Sequence, residues 1–293
     1  MKIKDISVNE FLAKPGKKIK LLSDYDPKYQ IKGLTPELAQ QALNESTEKI
    51  AKMQSKLYAQ DVYGVLILFQ ALDAAGKDGT IAHVMSGINP QGCEVTAFKN
   101  PSQEELDHDY LWRCARKLPE RGRIGIFNRS YYEEVLVVRV HPELLKKQKL
   151  PKEVMTKTFW KDRFDQINNF EKYLVDNGIE VIKIFLNVSK NEQKRRFLKR
   201  IENPEKNWKF SAGDLQERKF FDEYIKVYED CINNTSTKWA PWYVVPADHK
   251  PSTRMIVSEI IGSRIKDLNL HYPKVSKEAS AALMKAKAEL ETE

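Results

Sequence analysis

The sequence has few cysteines, no long apolar run and no histidine pair at a metal-binding spacing. Its three cysteines are scattered and odd in number, which excludes a disulfide framework or zinc module and predicts buried thiols in a reducing cytoplasm: Cys93, Cys114 and Cys231. No apolar stretch approaches the roughly 20 residues that cross a bilayer. Residues 1–5 also lack the apolar core of a signal peptide. We therefore expect a cytoplasmic protein.

The composition is that of an ordinary globular chain with a strong positive charge. Of its 293 residues, 41% are hydrophobic and 31% are charged, which is enough for one large α/β domain over residues 1–293. The formal net charge is +8, which favours a polyanionic partner: nucleic acid, a membrane surface or a phosphate-rich substrate. Charge alone leaves these three classes open.

Short apolar segments alternate with helical patterns along most of the chain. Strands are predicted at residues 62–69, 93–98, 123–128, 179–186 and 242–246. Helices are predicted at about residues 35–60, 80–86, 103–118, from 130, 152–177, 191–201, 213–235, 251–268 and 279–290. The alternation predicts a parallel sheet with helices on both faces and a ligand beyond the carboxyl ends of the strands. Residues 1–34 form an irregular, Lys-rich extension that we expect to wrap the domain or contact a neighbour, and residues 274–293 form a polar tail.

The segment from Ala71 to Thr80 follows a buried strand and resembles a phosphate-binding loop. Backbone N–H groups at a helix N-terminus attract phosphate oxygens, and the lysine of a Gly-Lys pair reaches the outer phosphates. The segment departs from the common pattern twice, with Ala71 in place of glycine and Asp78 in place of a hydroxyl residue. The alternative is a strand-to-helix turn that binds nothing. The residues predicted to bind phosphate are Ala75, Gly76, Lys77, Asp78, Gly79 and Thr80.

An aspartate inside an anion-binding loop predicts a divalent cation. Asp73 by itself would repel phosphate, whereas Mg²⁺ is commonly held between one or two carboxylates and phosphate oxygens. Asn128, at the end of a later predicted strand, stands where phosphate-loop enzymes often carry a metal-binding carboxylate. We therefore predict Asp73 and Asn128 as the metal site.

Arg129 follows the same strand end and is predicted to stabilise charge on the transferring phosphate. Glu133 lies one helical turn further on and is included in the predicted site. The alternative is a simple capping turn, with Asn128 or Ser130 as the N-cap and Glu133 closing a capping box. Both interpretations can hold together.

Two further groups of basic residues follow predicted strands. Arg196, Lys199, Arg200 and Lys209 lie within residues 190–215, where nucleotide kinases carry a mobile basic lid. Arg113 and Arg116 are three residues apart on a predicted helix and could bind the acceptor's phosphate. A solvated charged face is the alternative for both groups.

These motifs together resemble the polyphosphate kinase 2 family. The resemblance runs from about residue 20 to residue 270 and rests on the segments Ala71–Gly79 and Asn128–Tyr132 and on the basic lid. The segments Asn89–Cys93, Glu105–Arg113 and Asn207–Ser211 are similar to the third subclass of the family. Many relatives have glycine in place of Ala71 and aspartate in place of Asn128.

The resemblance implies a P-loop kinase with a thymidylate-kinase-like core and a helical lid. It implies transfer of a terminal phosphate of inorganic polyphosphate to AMP and ADP, reversibly giving ADP and ATP, with Mg²⁺ or Mn²⁺. The implied catalytic residues are Asp73, Lys77, Asn128 and Arg129. We expect a dimer or tetramer with no nucleic-acid or membrane partner. The alternatives are an ATP-dependent nucleoside or nucleotide kinase of the same fold and a basic nucleic-acid-binding protein.

Overall fold

A six-stranded sheet forms the centre of the computed structural model, which describes residues 6–293 except for the side chain of Lys209. The strands are β1 (Leu12–Ala13), β2 (Gly64–Ala71), β3 (Cys93–Ala97), β4 (Ile124–Asn128), β5 (Ile179–Asn187) and β6 (Trp242–Pro246). Their order across the sheet is β1-β6-β5-β2-β4-β3, and β1 alone is antiparallel to its neighbour. The predicted parallel α/β sheet is confirmed, with one short antiparallel strand added at its edge.

The central strand β2 is buried over its whole length and lies between β4 and β5. Its run of branched and aromatic residues suits a strand that is covered on both faces. The chain continues from β2 to β3 and β4 on one side and later crosses to β5 and β6 on the other. The loop after β2 therefore lies at the point where the strand order reverses, which is where open α/β sheets bind ligands.

Helices cover the sheet and extend beyond it at both ends of the chain. They are α1 (Leu21–Asp24), α2 (Pro36–Gln60), α3 (Lys77–Val84), α4 (Gln103–Leu106), α5 (Trp112–Ala115), α6 (Val137–Val140), α7 (Phe159–Asp176), α8 (Lys190–Glu202), α9 (Ala212–Lys219), α10 (Phe221–Thr235), α11 (Lys250–Lys266) and α12 (Lys277–Leu290). Helix α11 packs against α2 and α3, and α10 packs against α7. Within residues 6–293, no helix combines the length and the apolar character needed to cross a membrane.

Three predicted helices, at residues 103–118, 152–177 and 213–235, are shorter or divided in the structure. Local side-chain hydrogen bonds or packing interrupt them. Asp109 accepts a hydrogen bond from the backbone N–H of Leu111, and this turn separates α4 from α5. Before α7, the hydroxyl of Thr156 accepts from the N–H of Thr158, so the helix begins only at Phe159. Residues 212–235 form two helices that meet at Phe220.

Residues 6–34 of the N-terminal extension pack against the domain, which is one of the two arrangements expected from the sequence. Strand β1 pairs with β6, and the N–H groups of Ile19 and Leu21 donate to side chains of α10, Asn233 and Glu229. Leu21 is fully buried. The two-residue strand escaped prediction because its pairing, not its own sequence pattern, defines it.

Candidate active site

The loop between β2 and α3 has the backbone shape of an anion-binding loop. Ala74 and Gly76 adopt positive φ angles of 61° and 102°, and Gly76 is the N-cap of α3. Alternation of right- and left-handed residues turns successive N–H groups toward a common point, and a helix N-terminus adds partial positive charge. Ala71 ends strand β2 and is not among the residues with positive φ. Alanine therefore fits this position, where many relatives have glycine.

Lys77 is the first residue of α3 and points back across the loop. Its Nζ donates to the carbonyl oxygen of Ala71 at 3.1 Å. Burial lowers the pKa of Lys77, and the nearby guanidinium of Arg129 lowers it further. A phosphate bound beside Nζ would offset both effects. The predicted phosphate-binding lysine is thus part of the loop and close to a second cation.

Arg129 lies between two carboxylates at the end of β4. Its Nη2 is 3.2 Å from Oδ1 of Asp73, and its Nη1 is 3.9 Å from Oε2 of Glu133. Glu133 raises the pKa of Arg129, while burial raises the pKa of Glu133 itself. Arg129 also has a positive φ of 66°, a conformation that costs a non-glycine residue about 1–2 kcal/mol. The structure brings Asp73, Lys77, Arg129 and Glu133 into one charged cluster.

The capping alternative is confirmed in part. Ser130 is the N-cap of a short 3₁₀ helix, Tyr131–Val135, and its hydroxyl accepts from the N–H of Tyr132. The carboxylate of Glu133 approaches Arg129 instead of closing a capping box. The turn therefore has a local structural role and also presents Arg129 to the cleft.

The carboxylates near the loop fit a divalent cation that is shared with phosphates. Asp73, Asp78 and Asn128 all line the cleft, and the amide nitrogen of Asn128 donates to Oδ1 of Asp78 at 2.8 Å. The amide oxygen of Asn128 is then the atom available to a cation or a metal-bound water. Within the described residues, no group of three or more His, Cys, Asp or Glu could hold a metal by itself. This donor set matches Mg²⁺, which typically keeps several waters and binds one or two carboxylates plus phosphates.

Arg196 lies behind the loop, with its guanidinium bonded to protein groups. It is 9% exposed and donates to the backbone carbonyls of Ala74 and Ala75 and to the carboxylate of Glu192. Its remaining donors reach the carbonyls of Ala247 and Asp248. The sequence predicts Arg196 as a phosphate-binding residue; the side chain does line the cleft, and its hydrogen bonds hold the loop and the segment after β6.

Lys199 and Arg200, from the same helix, line the cleft, and Arg200 also pairs with Asp214. The side chain of Lys209 lies outside the described part of the structure. Arg113 donates to the carbonyl of Lys99 and lies over the ring of Phe98, just outside the cleft wall. Arg116 is largely exposed, and neither of these two arginines is among the described residues that line the cleft.

The cleft has a volume of about 1040 Å³ and is strongly positive. Among the described residues that line it are ten lysines and arginines and three aspartates. Lys250 and Arg254 on α11 were missed by the sequence analysis, although their four-residue spacing after the last strand was a usable signal. Burial and the neighbouring cations Arg196, Arg254, Lys206 and Lys199 lower the pKa of Lys250. These cations repel one another, and a bound polyanion would relieve the repulsion.

Comparison with known proteins agrees with this geometry. The family described as Polyphosphate kinase 2 (PPK2) matches residues 34–273. The chain belongs to the polyphosphate kinase 2 family. It is 48% identical over 289 residues to the ADP-polyphosphate phosphotransferase of Rhodopseudomonas palustris, an alignment that covers 97% of this chain and 99% of the relative.

Two further relatives of the polyphosphate kinase 2 family extend the comparison. The AMP/ADP-polyphosphate phosphotransferase of Meiothermus ruber is 43% identical over 235 residues, covering 80% of this chain and 84% of the relative. The crystal structure of polyphosphate kinase 2 from Arthrobacter aurescens TC1 has a TM-score of 0.83 and 35% identity, covering 94% of this chain and 98% of that one. The predicted family and P-loop kinase-like fold are therefore confirmed.

Proposed function

We propose that this protein transfers a terminal phosphate of inorganic polyphosphate to AMP or ADP, reversibly, within one phosphotransferase domain. The charge of the cleft carries the proposal, since ten cations against three aspartates surround a phosphate-binding loop. An inorganic polyphosphate chain carries a negative charge on every unit, and a cleft lined mainly by cations attracts such a polyanion. The names of the relatives from Rhodopseudomonas palustris and Meiothermus ruber support the same donor and acceptors.

The reaction needs no general base. The nucleophile is a terminal phosphate oxygen of AMP or ADP, and a phosphate group with a second pKa of about 6 is largely ionised near neutral pH. The described residues of the cleft accordingly contain cations and aspartates and no histidine. Catalysis then consists of aligning the donor and acceptor phosphates and neutralising their negative charges, which otherwise repel each other.

Each residue of the charged cluster has a distinct part in this scheme. Lys77 and the N–H groups of the loop hold the donor's phosphates. Arg129 contacts the transferring phosphate, and Glu133 keeps its guanidinium oriented. Asp73, assisted by Asn128, holds Mg²⁺ or Mn²⁺, and a bound cation of this kind neutralises charge on phosphate oxygens.

The cations around the rim bind the rest of the polyphosphate chain. Lys199 and Arg200 come from α8, Lys206 from the segment after it, and Lys250 and Arg254 from α11. Because they belong to different parts of the fold, they form an extended basic wall and not a single phosphate site. The proposal includes a cytoplasmic homo-oligomer with no nucleic-acid partner, which light scattering and nucleic-acid binding assays can test.

The test measures ATP formed from ADP, and ADP and ATP formed from AMP, with long-chain polyphosphate and Mg²⁺ as the only other additions. A Lys77→Met preparation purified in parallel controls for contaminating kinases. Product from both acceptors supports the full proposal, and product from ADP alone limits it to one acceptor. Activity with ATP as donor and none with polyphosphate would refute it and identify an ordinary nucleotide kinase. Salt-sensitive RNA binding without any phosphotransfer would instead favour a nucleic-acid-binding protein.

A further inference from the structure

We propose that Gln193 and Arg196 act as a clamp that holds the phosphate-binding loop in its active shape from behind. Both side chains belong to α8 and are almost fully buried. In this proposal Arg196 is a positioning residue and does not contact phosphate. The inference rests on the proposed function, because it concerns the loop that binds the transferred phosphate.

The clamp contacts three consecutive carbonyl groups of the loop. The Nε2 of Gln193 donates to the carbonyl oxygen of Asp73 at 3.0 Å. The Nη1 of Arg196 donates to the carbonyl oxygens of Ala74 and Ala75 at 3.0 and 2.6 Å. Gln193 is itself held, because Arg218 donates to its side-chain oxygen at 2.6 Å.

Holding these carbonyls also sets the direction of the N–H groups that face the substrate. In a planar trans peptide, the carbonyl of one residue and the N–H of the next point in opposite directions. No cis peptide occurs in the described chain. Because α8 holds the carbonyls of Asp73 and Ala75, the N–H groups of Ala74 and Gly76 point away from α8. The N–H of Ala75 donates within the loop to the carbonyl of Leu72 at 3.2 Å, which closes the turn.

The guanidinium of Arg196 has no donor left for a phosphate. A guanidinium carries five N–H donors, and Arg196 makes five hydrogen bonds: two to the loop, one to Glu192 and two to the carbonyls of Ala247 and Asp248. The last two lie just after β6, so Arg196 also ties the loop to the neighbouring strand end. Arg196 therefore supports the position of the loop, and the cations around the rim bind the substrate.

The clamp also explains how Ala74 keeps a left-handed conformation. Its φ of 61° is unfavourable for alanine and persists only where the surroundings hold it. Gln193 holds the peptide before Ala74 and Arg196 the peptide after it. Without these contacts the residue is expected to relax, and the N–H groups of the loop would then lose their common direction.

The experiment compares Arg196→Met and Gln193→Glu with Lys194→Met as the matched control. Lys194 is exposed on the same helix, and its substitution removes the same charge. We expect kcat with polyphosphate and ADP to fall about 100-fold in Arg196→Met, the scale of a misplacement of about 1 Å at a reacting group. In Gln193→Glu, where Arg218 still pairs with the side chain, the expected fall is about tenfold, the scale of one lost hydrogen bond. The control keeps wild-type values, and KM for ADP stays within about twofold in all three.

Two readouts separate positioning from a general loss of folding. Guanidinium ion added to Arg196→Ala should restore part of kcat, while ammonium of equal charge should not, since only the planar fork reaches two carbonyls. Hydrogen exchange at the Ala75 amide should accelerate in Arg196→Met and Gln193→Glu and stay slow in Lys194→Met.

Wild-type kcat per folded molecule in both clamp variants, or an Ala75 amide that remains protected in them, would overturn the clamp. A wild-type protein that is inactive with polyphosphate refutes the proposed function alone, because the exchange measurement still tests the clamp.

Discussion

Gly76 allows a sharp test of the loop's backbone geometry, because alanine at Gly76 and alanine at Gly79, three residues later, should change the protein's stability in opposite directions. Gly76 has a φ of 102° at the N-cap of α3. Gly79 lies inside α3 and has no positive φ. We predict that Gly76→Ala destabilises the protein and that Gly79→Ala stabilises it.

The magnitudes follow from backbone conformation alone. A Cβ on Gly76 would meet Nη1 of Arg196 at 3.5 Å, an ordinary contact, so its cost is that of a left-handed alanine. This cost lowers the free energy of unfolding by about 1–2 kcal/mol. A Cβ on Gly79 meets nothing within 4 Å, and alanine within a helix gains about 0.5–1 kcal/mol over glycine. The two variants should therefore differ by about 2 kcal/mol.

Urea unfolding followed by tryptophan fluorescence measures this difference in the absence of substrates. The midpoints should lie on either side of the wild-type midpoint with a common slope, since neither change alters the buried surface. Equal midpoints, or a more stable Gly76→Ala, would show that the loop does not hold a left-handed residue at this position. The geometry on which the phosphate site rests would then be incorrect.

Three further predictions concern charge. Lys77→Met should lower kcat about 10²–10³-fold. Because burial and Arg129 lower the pKa of Lys77, the wild-type KM for polyphosphate should rise as alkaline pH removes the proton from Lys77. An identical rise in Lys77→Arg would contradict the assignment of this pH effect to Lys77. Asn128→Asp places a second carboxylate beside Asp78, so the variant should melt lower without Mg²⁺ and regain stability with it; melting curves unaffected by Mg²⁺ would exclude a cation here. Double substitution of Lys250 and Arg254 by methionine should weaken the salt dependence of KM for long polyphosphate. An unchanged salt dependence would show that these two residues of the extended basic wall do not bind the chain.

The sequence was sufficient to predict the central strand and the loop that follows it. The buried run at residues 64–71 and the pair Gly76-Lys77 are contiguous, so their geometry depends mainly on local backbone preferences. The same reasoning located Asn128 and Arg129, because the carboxyl ends of parallel strands meet at one edge of a sheet. Family and fold class followed from these local signals.

Helix boundaries were harder to predict because side chains a few residues away compete with the helix for backbone bonds. The turn made by Asp109 and the hydroxyl of Thr156 divided segments whose apolar pattern was otherwise continuous. The burial of Lys183 in strand β5 was also beyond the sequence pattern, because it depends on a partner from another element. Lys183 is fully buried, and its Nζ lies 2.6 Å from the carboxylate of Glu171 on α7.

The tertiary structure alone decided the role of each basic residue. Arg196 and Lys199 stand three residues apart in one charged run and both reach the cleft, yet Arg196 is buried against the loop and Lys199 is exposed to solvent. The contact between Arg196 and Ala74 spans 122 positions of sequence. A contiguous motif carries its geometry in its own backbone, whereas the partner of a helix side chain depends on which distant segment packs against that face. The sequence therefore determined the fold and the phosphate loop, and packing determined which cations support the loop and which face the substrate.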